Sequence, residues 1–81
     1  MMYTGYWIEK KCIMGPVDSG LYRIKNNYIH GPNHNALFWI KNNIIFGPWD
    51  SAQFWIDMDV DGRIYGPSTT LPWQKEKPVI Q

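Results

Sequence analysis

The 81-residue chain has a single cysteine, Cys12. No intrachain disulfide and no cysteine-built zinc site can therefore form, and nothing in the thiol content implies an oxidising compartment. An excess of either charge is also missing. Eight Lys and Arg against seven Asp and Glu leave +1, too weak a field to draw the chain to nucleic acid or to an acidic membrane. No apolar stretch approaches the ~20 residues that a membrane-spanning helix needs. The N-terminal MMYTGYWIEKK lacks the basic region and apolar run of a secretion signal. These absences lead to the expectation of a soluble, cytoplasmic protein that binds neither nucleic acid nor membrane. Motifs of catalysis are absent as well: there is no nucleophile elbow, phosphate loop or HExxH pair, so a noncatalytic protein without a cofactor is expected. His30 and His34 are separated by Gly31-Pro32-Asn33, which does not aim both rings at one metal. Cys12 has no base partner beside it and reads as a half-exposed thiol.

What the chain does have is rings and repetition. Five Trp, five Tyr and three Phe are more than a core this small readily encloses, since a chain of this length buries only about 60 to 65% of its unfolded surface. Gly-Pro occurs four times, at Gly15-Pro16, Gly31-Pro32, Gly47-Pro48 and Gly66-Pro67. Ahead of each pair stands an aromatic-X-Ile step, so the units align as YWIEKKCIMGP, YRIKNNYIHGP, FWIKNNIIFGP and FWIDMDVDGRIYGP. A short fixed period outranks residue-by-residue propensity as a guide to fold. It predicts one domain over 1–81, with repeats near 6–20, 21–36, 37–52 and 53–73 and a tail at 74–81.

Within a unit, Phe38-Trp39-Ile40 leads through Lys41 to Asn42-Asn43, and Ile44-Ile45-Phe46 follows at once. Asn tolerates positive φ, so Asn42-Asn43 and Asn26-Asn27 suit two-residue type I′ hairpin turns. Lys10-Lys11 fills the same place with poorer turn chemistry, and the fourth unit substitutes the longer Met58-Asp59-Val60-Asp61-Gly62. The register then sorts the side chains. One face carries Tyr6, Ile8 and Ile13, then Tyr22, Ile24 and Ile29, then Phe38, Ile40 and Ile45, then Phe54, Ile56 and Ile64, and is the predicted core. The other carries Trp7 with Met14, Arg23 with His30, Trp39 with Phe46, and Trp55 with Tyr65, and is where the repeats differ. Gly-Pro should end each second strand, because Pro cannot donate to a ladder and Gly permits a sharp departure. The links, such as Val17-Asp18-Ser19-Gly20-Leu21 and Trp49-Asp50-Ser51-Ala52-Gln53, suit turns in which a side chain caps backbone amides. A lone hairpin is marginal in water, so the expected fold is all-β, with four tandem β-hairpin petals around a pseudo-fourfold axis. The C-terminal segment is expected to close the ring by bringing Trp73 to the N-terminal Met1-Met2-Tyr3, with residues beyond Trp73 expendable.

The fourfold aromatic-Trp-Ile, turn, Ile-X-Gly-Pro pattern resembles the fourfold beta-flower proteins over roughly residues 6 to 73. The resemblance implies the fold and no particular activity. Arg23, where other units carry Trp, and the enlarged fourth turn depart from the pattern and imply altered sites there. A lesser likeness to GYF-type modules, which bind proline-rich peptides, rests on Trp, Tyr and Gly-Pro alone, without the repeat.

The aromatic face supplies the candidate ligand-binding residues: Trp7, Arg23, His30, Trp39, Phe46, Trp49, Trp55 and Tyr65. Flat rings with polar handles stack on sugars and extended polymers, so the expected partner is a glycan or polymer ligand held in grooves between petals. The rival expectation is an interaction protein whose aromatic face forms a homo-oligomer or host-protein interface. Asp57, Asp59 and Asp61, followed by Gly62, reproduce the opening of a calcium loop, but position 12 is Ser68 rather than the bidentate Glu. An ordinary Asp-rich turn is expected there.

Overall fold

A computed structural model describes residues 1–32, 35–59 and 62–75. The chain is all-β: β1 (Met2–Glu9), β2 (Cys12–Met14), β3 (Tyr22–Lys25), β4 (Tyr28–His30), β5 (Asn35–Lys41), β6 (Ile44–Phe46), β7 (Phe54–Asp57) and β8 (Arg63–Gly66). Each strand pairs antiparallel with the next and β8 returns to β1, so the ring of four hairpins is a closed barrel. Closure leaves no unpaired strand edge to recruit another chain.

Turn chemistry sets the hairpins as the sequence predicts. Asn26 and Asn27 have φ of 52° and 66°, Asn42 and Asn43 of 53° and 63°, and Lys10 and Lys11 of 51° and 63°. Positive φ at both central residues defines the type I′ turn. The resulting register places Ile8 opposite Ile13, Ile24 opposite Ile29, Ile40 opposite Ile45 and Ile56 opposite Ile64.

The Gly of each Gly-Pro has a reason the sequence reading missed. Gly15, Gly31, Gly47 and Gly66 are absent from the left-handed region. A Cβ on any of them would instead come within 3.0 Å of the ring of Tyr6, Tyr22, Phe38 or Phe54 respectively. Each inward ring lies flat across the glycine opposite it, the cross-strand cover that aromatic side chains give to glycine in sheets. The links then lock this arrangement. The Gly15 N–H donates to Ser19 Oγ (3.1 Å) and the Gly47 N–H to Ser51 Oγ (3.2 Å). The Gly20 and Ala52 N–H groups donate to the Ile13 and Ile45 carbonyls, each at 2.8 Å.

Neighbouring hairpins are staggered. Ile13 pairs with Tyr22, Ile29 with Phe38 and Ile45 with Phe54, so each second-strand isoleucine sits level with the next hairpin's ring. The first-strand isoleucine is left level with the preceding turn: the N–H of Ile24 donates to the Lys11 carbonyl, Ile40 to Asn27 and Ile56 to Asn43, each at 2.7 Å. This divides the isoleucine face that the sequence treats as uniform. Ile13, Ile29, Ile45 and Ile64 are fully buried, whereas Ile8, Ile24 and Ile40 sit at the rim, partly buried, and only Ile56 of the first-strand set joins the core.

Closure also differs from expectation. The ring is sealed by β1 on β8, with Met2 opposite Gly66, Tyr3 opposite Tyr65 and Trp7 opposite Arg63, and a bulge between Tyr3 and Trp7 where Gly5 takes φ of 91°. Thr4 is buried in this seam; its Oγ1–H donates to the Ile64 carbonyl (2.7 Å) and its oxygen accepts the Tyr6 N–H (3.2 Å). The hydroxyl thus makes the bond to the isoleucine carbonyl that a backbone N–H makes at Ile13 and Ile45.

The tail, rather than meeting residues 1–3, plugs the aromatic end of the barrel. Leu71, Pro72 and Trp73 are buried, and a short 3-10 turn over Pro72–Gln74 sets the Trp73 ring 5.8 Å from both Tyr22 and Phe38. The structural part extends past Trp73. Gln74 Nε2 donates to the Tyr6 hydroxyl (2.8 Å) while its Oε1 accepts the Leu71 N–H (2.8 Å). Lys75 pairs with Asp50 at 2.7 Å in a largely solvated contact, which adds little stability. The part of the tail beyond residue 75, expected to be expendable, lies outside the described residues.

Ile45→Ala is expected to cost about 2–5 kcal/mol as a fully buried truncation, and Ile40→Ala markedly less; urea unfolding of both variants checks the order. Gly47→Ala is expected to cost about 1–3 kcal/mol through ring displacement, and much less in a Phe38→Ala background. Additive losses in that double-mutant cycle would mean that the ring does not rest on the glycine.

Candidate functional site

The stagger that buries the second-strand isoleucines also sets the outer face. Each outward residue of a first strand lies beside the residue that follows the preceding turn: Trp7 beside Arg63, Arg23 beside Cys12, Trp39 beside Tyr28 and Trp55 beside Ile44. Within its own hairpin it faces Met14, His30, Phe46 or Tyr65. The result is a belt of outward side chains around the barrel, interrupted by clefts at the seams.

A cleft of about 750 Å³ lies at the closing seam between β8 and β1 and is lined by Tyr3, Trp7, Ile8, Glu9, Met58, Gly62 and Arg63. Its shape follows from the two irregularities of that seam. The longer fourth turn ends at Gly62 with φ of 65°, and the Gly62 carbonyl accepts the Ile8 N–H (3.0 Å). A Cβ at Gly62 would press against the Ile8 backbone at 3.1 Å, so the turn rests directly on β1. The extended start of β1 brings Tyr3 alongside, with the Arg63 guanidinium 5.1 Å above its ring. The cleft therefore combines two aromatic rings with one anionic and one cationic side chain.

Other seams hold smaller clefts made from corresponding positions. That at β6 and β7, about 400 Å³, is lined by Asn42, Asn43, Ile44, Ala52, Trp55 and Ile56. That at β2 and β3, about 460 Å³, is lined by Lys10, Lys11, Arg23, Ile24, Lys25, Asn26 and His30. A fourth, about 320 Å³, involves Lys25, Asn26, Tyr28, His30 and Ala36.

Of the residues singled out from sequence, Trp7, Arg23, His30 and Trp55 line these clefts. Trp39, Phe46 and Tyr65 stand on the belt between them. Trp39 stacks on Phe46 with centroids 6.2 Å apart and planes at 18°, and Trp55 stacks on Tyr65 at 4.7 Å and 15°. Tyr65 also meets Tyr3 at 5.6 Å. Trp49 is elsewhere: its ring meets Phe38 edge-on at 5.1 Å and its Nε1–H donates to the Pro72 carbonyl (2.8 Å), which ties the tail to the third link. Tyr3, Glu9, Met58 and Arg63 are not among the ligand-binding residues expected from the sequence. Tyr3 precedes the first repeat, and Arg63 emerges only when register is followed across a seam instead of within a hairpin.

In the fourth turn, Asp57 Oδ1 accepts the Asp59 N–H (3.1 Å), an Asx turn of the ordinary kind. Asp61 lies outside the described residues. Millimolar calcium is expected to leave the melting temperature unchanged; a saturable rise removed by Asp59→Ala would instead make the turn a cation site.

Comparison of the chain with family models, curated proteins and solved structures finds no match.

Proposed function

We propose that the protein is a noncatalytic binding module that holds a carbohydrate in the cleft between β8 and β1, with the remaining seams as weaker sites along an extended ligand. The proposal includes a pseudo-fourfold arrangement of the hairpins and kinship with the fourfold beta-flower proteins, carried by the repeat alone. The observation that carries the functional reading is the state of Trp7. Trp39 and Trp55 have rings stacked against them, whereas among the described residues Trp7 has none and borders the 750 Å³ cleft. A half-buried indole with no ring stacked on it suits the C–H face of a sugar ring, and Glu9 and Arg63 stand where they can take up hydroxyls. The cleft volume falls within the ~300–1,000 Å³ typical of small-ligand sites, and several weak sites on one polymer add through effective concentration.

A second reading, an oligomer or host-protein interface, is favoured by a different patch. Tyr28, Leu37 and Trp39 are 45, 37 and 38% exposed, and Tyr28 and Trp39 are adjacent with centroids 6.5 Å apart. Large exposed apolar side chains that cluster mark contact surfaces.

Calorimetric titration with a panel of neutral oligosaccharides separates the two. Trp7→Ala is expected to weaken glycan binding by roughly tenfold or more, the scale of a lost aromatic platform, with a small fall in melting temperature, while Trp39→Ala leaves binding unaltered. No glycan bound, together with a sedimenting oligomer that Trp39→Ser dissociates, would put the interface reading in its place.

A further inference from the structure

The seam between β2 and β3 departs from its counterparts at two points that are distant in sequence and meet in space. Arg23 occupies the position held by Trp7, Trp39 and Trp55, and Lys10-Lys11 occupies the turn held by Asn26-Asn27 and Asn42-Asn43. Arg23 belongs to the second hairpin and the lysines to the first, yet the stagger lays the Lys11 carbonyl against the Ile24 N–H at 2.7 Å and puts all three side chains on one cleft. Lys25 and His30 line it too, Ile24 contributes an apolar wall, and the cleft holds about 460 Å³. Among the described residues no carboxylate lines it, and the ion pair of Lys75 with Asp50 lies elsewhere.

Maintaining the lysines there has a conformational cost. Lys10 and Lys11 take φ of 51° and 63°, a region that Asn accepts far more readily than Lys. Backbone strain that a commoner residue would relieve points from the outlier to a use for the side chain. Both departures also act in the same direction, replacing a neutral group with a cation, and both fall on the same seam.

We propose that this seam is an anion subsite that takes the acidic group, carboxylate or sulfate, of an acidic polysaccharide whose sugar rings occupy the aromatic clefts. The inference rests on the glycan-binding reading and names the class of glycan. The placement of charge argues against nucleic acid, which carries a phosphate at every residue and needs cations along its whole path. Among the described residues no cation lines the cleft at β6 and β7, which has Asn42, Asn43 and Trp55, and that at β8 and β1 is lined by both Glu9 and Arg63. Cations gathered at one seam match a polymer in which charged units are spaced out or in which only one unit is read. Arg offers a planar fork that suits carboxylate or sulfate in two-point contact, with the lysines as point charges beside it.

The full-length chain should be titrated at low salt with a uronic-acid oligosaccharide, a sulfated oligosaccharide, an uncharged oligosaccharide of equal length, and oligo-dT. At least one acidic glycan is expected to bind roughly tenfold tighter than the uncharged one, with the advantage shrinking as salt screens it; which acidic glycan leads tells carboxylate from sulfate. Arg23→Gln is expected to remove that advantage. The double variant Lys10→Asn, Lys11→Asn should do the same without loss of stability, because Asn-Asn already forms this turn in the second and third hairpins. Lys41→Gln, outside the seam, should change nothing. Equal affinity for charged and uncharged glycans, or an equal loss with Lys41→Gln, overturns the anion subsite and leaves the glycan reading standing. Failure of every glycan overturns both, and oligo-dT bound as tightly as the acidic glycans replaces the polysaccharide with nucleic acid.

Discussion

The contact between an inward aromatic ring and the glycine across the hairpin is the constraint from which the rest of the barrel follows. The rings of Tyr6, Tyr22, Phe38 and Phe54 occupy the space where a Cβ on Gly15, Gly31, Gly47 or Gly66 would stand. A ring laid flat at that point covers the end of the second strand and fills the barrel axis from all four sides, which leaves a cap at that end to be supplied from elsewhere. Trp73 supplies it, packed on Tyr22 and Phe38. The same contact limits each second strand to three or four residues, because Pro follows the glycine and can offer no N–H to a ladder. Short second strands beside a link of fixed length produce the stagger, and the stagger decides which isoleucines are buried.

The seam that closes the ring joins β8 to β1 without a link of the kind that runs between consecutive hairpins. β1 solves this by running on as an extended strand beside β8. A bulge at Gly5 corrects the register, and the Thr4 hydroxyl stands in for the backbone N–H that the links present to the isoleucine carbonyl. Irregularity at closure has a functional corollary. An extended strand brings Tyr3 to the outer face, and Met58 and Gly62 stand beside β1, so a cleft of about 750 Å³ forms where the repeat is broken. Clefts made from regular units are smaller, since a two-residue turn leaves less room beside the next strand.

The fold was legible because the repeat encodes it redundantly. Asn-Asn fixes type I′ turns, those turns fix register, and register fixes the faces, each step local and each present more than once. The parts that eluded the sequence are non-local. The depth difference between Ile40 and Ile45 depends on the offset between hairpins, which no single unit specifies. The purpose of the Gly-Pro glycine depends on a ring across the ladder and not on its own φ. Tyr3, Thr4 and Gly5 have no aligned counterparts, so the pattern that revealed the hairpins hid the closing strand. Of the residues named from the sequence, half line clefts, Trp39 and Phe46 stack on each other, Tyr65 stacks on Trp55, and Trp49 holds the tail, because within-hairpin pairing identifies which rings touch and cross-seam pairing identifies which clefts they border.

Division of labour between the two faces explains how one scaffold accommodates unlike seams. Inward positions are coupled through a shared core, where a changed volume is felt by all four hairpins. Outward positions are coupled only to their immediate neighbours on the belt, so a Trp can give way to Arg23, or Asn-Asn to Lys10-Lys11, without disturbing the core contacts of Tyr22 or Ile13. The cost stays local, in the φ of two lysines. A ring built this way keeps aromatic surface at one seam and gathers positive charge at another, the combination on which the proposed selection of a long acidic glycan rests.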